Sequence, residues 1–167
     1  QQLVYLVTKA PAGSQAKRSG EPKPQQRSGT SGSGALSSVV LPDGKIVLID
    51  VVSSSPNVQQ GILVRLNPDG SLDKSFNGKG FTLIGLDGID HQYSGVKALA
   101  VQKDGKILVT GTFQPRDGDA VYEVYVTRYM ENGQLDSGFA NEGIATIALT
   151  AGPGWNSVNA LAVRESN

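Results

Sequence analysis

Apolar and polar residues alternate along much of this chain with a period of two, the spacing of a half-buried β-strand. Nowhere does a convincing three-to-four spacing of an amphipathic helix appear. The alternation is clearest from Lys45 to Val52 and again from Lys106 to Phe113. Each of these runs follows a turn, Pro42–Gly44 or Lys103–Gly105, with Asp43 or Asp104 before a glycine. Gly44 and Gly105 supply the positive φ that closes such a hairpin. Apolar strands are predicted ahead of the turns, at Ala35–Val40 and Val96–Val101. Third strands are predicted at Ile62–Leu66 and Val121–Tyr129, after variable loops at Ser53–Gln60 and Gln114–Ala120. They end in turns built on Asp69-Gly70 and Asn132-Gly133. Short fourth strands follow at Phe81–Ile84 and Ile144–Leu149. Phe76 and Phe139 hold the same place in each series and read as core pegs.

The series is one unit written twice. Gly44 recurs as Gly105 after 61 residues, and Gly70 recurs as Gly133 after 63. A third copy opens at Val158–Val163, which matches Val96–Val101. A fixed period marks a repeat architecture, in which one unit cannot bury its apolar face without a neighbour. Four antiparallel strands per unit, in tandem, form the blade of a β-propeller. The expectation is an all-β chain of tandem four-stranded antiparallel blades, an incomplete propeller of two units plus extra terminal strands. Residues 35–95 form the first blade, 96–157 the second, and 158–167 the first strand of a third. Residues 1–9 form an N-terminal strand, and 10–34 a linker rich in Pro, Gly and Ser that cannot bury enough surface to offset its ordering entropy.

At these residues the chain resembles the delta-60 repeat family of bacterial, mostly surface or secreted, proteins. Ala98–Gly111 fits the first of that family's two motifs almost letter for letter, and Arg65–Gly80 fits the second. The signature is degraded at Leu36–Val39 and at Glu131–Gly133. The resemblance implies a propeller-like β-fold, generally without an assigned activity.

Composition changes this picture little. Fifteen basic and fifteen acidic residues cancel, so no whole-chain field draws the protein to nucleic acid or a membrane. No apolar run approaches the roughly 18 residues of a membrane span. Cysteine is absent, which excludes disulfides and thiolate metal sites. Gln1 in place of an initiator methionine suggests a processed or truncated chain. Lys17, Arg18, Lys23 and Arg27 make the linker basic, and it reads as a solvated tether without a base-reading element.

Candidate chemistry is sparse. Asn67, Asp69 and Asp73 surround Gly70 in a faint likeness of a calcium loop, but no bidentate Glu completes it. Turn formation by Asp69 and Asn132, and turn capping by Asp73 and Asp136, is the reading adopted. His91 lies near Asp87, Asp90 and Ser94 on what reads as one glycine-rich loop, which lacks the separated rigid elements of a triad. Tyr93 and Trp155 recur on loops entering a first strand and are the candidate ligand-facing residues, with packing between blades the favoured alternative. No catalytic set, metal site or cofactor is expected.

Two unmatched ends leave three solutions: copies assemble, the chain is part of a longer propeller, or it collapses into a small sandwich. The expected function is a non-enzymatic extracellular or cell-surface assembly subunit that associates with itself. Its assembly strands would be Leu3, Val4, Tyr5, Leu6 and Val7 at one end and Val158, Leu161 and Val163 at the other, pairing between copies into a ring or filament. The alternative is a glycan- or peptide-binding propeller module.

Overall fold

The computed structural model describes residues 4–6, 36–55, 58–89, 91–116, 122–148 and 158–163, with the backbone alone at 4–6, 53–55, 58–59 and 91–93. The linker at 10–34 with its four cations, and Leu3, Val7, Asp90 and Trp155, lie outside the described residues. Among the described residues, ten strands make three sheets. The first blade is β2 (Ser37–Val40), β3 (Ile46–Ser55), β4 (Val58–Leu66) and β5 (Phe81–Ile84), hydrogen-bonded in that order. The second repeats it with β6 (His91–Val101), β7 (Ile107–Pro115), β8 (Glu123–Tyr129) and β9 (Ile144–Ile147). A two-stranded sheet joins β1 (Val4–Leu6) to β10 (Leu161–Val163). Every pairing is antiparallel, as in the expected blades. Among the described residues no helix is long and apolar enough to cross a membrane.

Alternation along the strands decides what each blade face meets. Val47 and Ile49 on β3 and Leu63 on β4 are fully enclosed on one face of blade 1. They pack in one cluster with Leu99, Ile107, Val109, Tyr125 and Tyr129 of blade 2. Burying each large apolar side chain there is worth about 1.5–3 kcal/mol relative to leaving it in water. The residues between them along the strands, Ile46, Leu48, Ile62 and Val64, lie on the opposite face and are half-buried, and Val40 beside them is 69% exposed. Blade 2 differs. Its far face carries Leu108, Thr110 and Val126, all buried, and Val158 ahead of β10 is buried too. β10 sits next to β6.

Three expectations need correction. Ser53–Gln60 is not a variable loop: β3 runs to Ser55 and β4 begins at Val58, with a register irregularity between Ser53 and Ser55. Backbone pairing extends the hairpin through polar residues that carry no apolar alternation to reveal it. Gln114 and Pro115 likewise belong to β7 rather than to a loop. His91 and Tyr93 are not on a loop before the first strand, because β6 begins at His91 and pairs with β7 back to Pro115. The side-chain direction of Tyr93 lies outside the described residues.

The terminal strands pair within one chain, where the sequence reading set them between copies. Their register places them in the repeat. Val163 faces Val4 as Val101 faces Ile107 and Val40 faces Ile46. β10 therefore takes the first position of a third blade and β1 the second.

Candidate functional site: the clasp between repeats

The turn residues named from sequence occupy the hairpin ends. Gly44, Gly70, Gly105 and Gly133 have φ between 80° and 86°. Asp43 and Asp104 accept from the backbone N–H of Lys45 and Lys106 at 3.1 and 3.2 Å. Asp69 accepts from the N–H and hydroxyl of Ser71 at 2.9 and 2.7 Å, which holds its carboxyl below the usual range. Asn132 accepts from the N–H of Gln134 at 3.0 Å. Among the described residues no group of three or more His, Asp or Glu is disposed to hold a metal.

The calcium-like reading fails at Asp73, which is already saturated. β4 ends by delivering Arg65, and the loop after it returns Asp73 through a backbone bond from the Asp73 N–H to the Arg65 carbonyl at 3.0 Å. Arg65 Nε donates to Asp73 Oδ2 at 2.8 Å, and Lys45 Nζ stands 3.2 Å from the same oxygen. Oδ1 accepts from the Ser75 hydroxyl at 2.6 Å and its N–H at 3.1 Å. The Ser75 bonds, helped by Lys45 and Arg65 and opposed by burial, hold Asp73 far below the usual carboxylate range. The guanidinium lies 4.8 Å from the Phe76 ring centroid, a cation–π distance.

Blade 2 rebuilds the cluster. Arg128 Nε donates to Asp136 Oδ2 at 2.8 Å, Lys106 Nζ is 3.2 Å from that oxygen, and Arg128 lies 4.6 Å from the Phe139 centroid. Burial works against ionisation of Asp136, yet Lys106, Arg128 and the Gly138 N–H keep its carboxyl low. Gly138 stands where blade 1 has Ser75, so the hydroxyl bond is missing.

Among the described residues, only the blade 1 cluster reaches into a neighbour. Arg65 Nη1 donates to the Glu131 carbonyl at 2.6 Å, and the Asn77 N–H donates to the Asn132 carbonyl at 2.7 Å. Phe76 is fully enclosed against Gly133, where a Cβ would come within 2.9 Å of the ring. The consecutive turn residues Glu131, Asn132 and Gly133 of blade 2 are thus gripped by Arg65, Asn77 and Phe76 of blade 1. This clasp was missed from sequence, which gave Asp73 and Asp136 capping parts alone. The available signal was an Arg, a Lys and an Asp recurring together at the repeat period.

Stability should follow these carboxylates. Unfolded aspartate titrates near 3.9, and the folded values lie lower, so their contribution is complete above about pH 4 and is lost as pH falls further. Asp73→Asn is expected to flatten the fall in stability between about pH 4 and 2, followed by urea unfolding at each pH. Identical slopes for parent and variant would show that Asp73 is not depressed.

Two four-stranded antiparallel units locked face to face in this way are propeller blades, and the chain is a β-propeller-like repeat protein. Residues 41–76 and 102–139 match the model of a family described as a domain of unknown function (DUF5122) beta-propeller. Both matched stretches run from the first hairpin turn to the clasp phenylalanine. No curated protein and no solved structure matches the chain.

Proposed function

We propose that this protein is a non-enzymatic structural subunit of the delta-60 type, working outside the cell or at its surface, whose blades are completed by association with neighbouring chains. The observation that carries the reading is the third sheet. It holds the first two strand positions of a blade, and among the described residues the outer edge of β1 has no partner. An open edge is a template for another strand. The other end supports the same reading, because the outward side of blade 1 is apolar and half-covered, with Leu36 and Val40 exposed. The equivalent face of blade 2, with Leu108, Thr110 and Val126, is buried.

Light scattering on the purified chain across a concentration series, with negative-stain microscopy of the same sample, tests the proposal. Masses at multiples of the 17.5 kDa chain, with rings or filaments on the grid, are expected. A compact monomer at every concentration would rule the proposal out.

A further inference from the structure

The chain holds two Asn-Gly pairs, Asn77-Gly78 and Asn132-Gly133, and the clasp bond from the Asn77 N–H to the Asn132 carbonyl joins them. An asparagine before glycine is open to cyclisation, because no side chain shields the next backbone nitrogen from the amide carbon Cγ. Both asparagines are exposed, so solvent access does not separate them. Their glycines do. Gly133 is buried against the Phe76 ring, and its N–H donates to the Met130 carbonyl at 2.9 Å. The N–H groups of Gly44, Gly70 and Gly105, each after an aspartate, are held in their turns in the same way. A nitrogen must give up its proton to attack, and a bond that uses this proton to close a turn opposes the loss. Gly78 is exposed, and among the described residues its N–H donates to no acceptor. A Cβ built on it meets nothing within 4 Å, so the space around it is open. The Asn77 side chain is held only by a bond of 3.4 Å from Nδ2 to the Phe81 carbonyl, at the long limit for such bonds. Blade 2 has Ala140-Asn141 at this place in the repeat, so the reactive pair lies on the blade whose clasp crosses the boundary.

We infer that Asn77-Gly78 is a site of spontaneous deamidation, and that the isoaspartate formed there loosens the clasp. Gly78 N bonds to Asn77 Cγ, the Cγ–Nδ2 bond breaks, and Nδ2 leaves as ammonia with the proton from Gly78. Water then opens the succinimide ring. Cleavage between Cγ and the ring nitrogen gives aspartate in the parent backbone. Cleavage between the nitrogen and the main-chain carbonyl gives isoaspartate, whose backbone runs through Cβ and Cγ. Ammonia is exchanged for water, and no oxidant or reductant takes part.

The two products act differently on the fold. Isoaspartate lengthens the main chain by an atom inside a closed loop, where the Phe76 carbonyl accepts from the Lys79 and Gly80 N–H at 3.1 and 2.7 Å. Gly80 is fixed from outside that loop: its carbonyl accepts from the Arg65 N–H at 2.9 Å, and a Cβ on it would lie 2.9 Å from Leu72 Cβ. The displacement therefore falls on Phe76 and the Asn77 N–H, which hold Gly133 and Asn132. Aspartate leaves the backbone unchanged and tolerates the φ of 49° as asparagine does.

The test is incubation of the folded chain in mildly alkaline buffer, followed by peptide mapping with mass spectrometry and isoaspartate detection. Asn77 is expected to convert about tenfold or more faster than Asn132, and in urea the two are expected to convert at comparable rates. Chains carrying isoaspartate at 77 are expected to unfold at lower urea than the parent, with the Asn77→Asp variant close to the parent. Equal rates at the two sites in folded protein, or an Asn77 that reacts only in urea, would overturn the site. An unchanged urea midpoint for the isoaspartate form would overturn the loosening of the clasp.

Discussion

Replacing Arg65 with methionine is expected to destabilise the protein by about 3 kcal/mol, and Arg128→Met by roughly half as much. The two arginines hold equivalent positions and make the same 2.8 Å bond to an aspartate. They differ in what surrounds them. Arg65 is almost fully buried, donates to Ser75 at 3.1 Å and donates across the blade boundary to Glu131. Methionine would fill most of the volume but leave the Glu131 carbonyl without that donor and Asp73 with Lys45 as its remaining cation. Losing one partner of a buried pair costs more than the pair contributes, because the other charge stays desolvated. Among the described residues Arg128 has no interblade acceptor, and its pair is partly solvated, which screens it. Urea unfolding of both variants measures the difference. Equal losses would mean that the bond to Glu131 adds nothing to stability.

Gly111→Ala is expected to cost about 3 kcal/mol or more, or to abolish folding. Gly111 pairs with Val96 in the ladder between β6 and β7, where β6 carries an irregularity between Val96 and Ala98. A methyl group there would collide with the Gly95 carbonyl and come within 2.7 Å of the Tyr125 hydroxyl. The hydroxyl belongs to a side chain and could shift, but the carbonyl is backbone, held by the strand on both sides. Tyr125→Phe should therefore fail to rescue Gly111→Ala, as read by thermal melting. Rescue would locate the conflict at the hydroxyl instead. Gly78 and Gly88 differ in kind: a Cβ at either meets nothing within 4 Å, and an alanine there carries only the strain of a positive φ, 70° and 82°.

The blades were legible because their information is local and said twice. A turn with Asp before Gly and flanking strands with period two give the same reading at residues 43–52 and 104–113. The fourth strand of blade 1 was expected at Phe81–Ile84 and lies there. Polar stretches escaped, because Ser53–Ser55 and His91–Gly95 are held by ladder bonds that any side chain permits. The clasp escaped for a different reason. Arg65 and Asp73 meet through the fold-back of one loop, and Glu131 is 66 residues away on another blade, so the contact appears in no local pattern. The role of β1 was hidden by its brevity. Val4–Leu6 carries the apolar character of Ile107–Val109 but has no Asp-Gly turn in front to mark it as a second strand.

The most direct measurement of the central claim is a designed disulfide across the clasp, in a chain that contains no cysteine of its own. Asn77 and Asn132 are joined by a backbone bond of 2.7 Å, which sets their Cα atoms near the 4.4–6.8 Å that a disulfide spans. Oxidation of the Asn77→Cys/Asn132→Cys double variant is predicted to give an intramolecular crosslink in high yield, with the circular dichroism of the parent. The pair Asp69→Cys and Ala140→Cys, equivalent in the repeat but at opposite ends of the two blades, should give none within a monomer. Failure of the first pair to crosslink in folded protein would contradict the blade-to-blade clasp, and with it the account of how these repeats are joined.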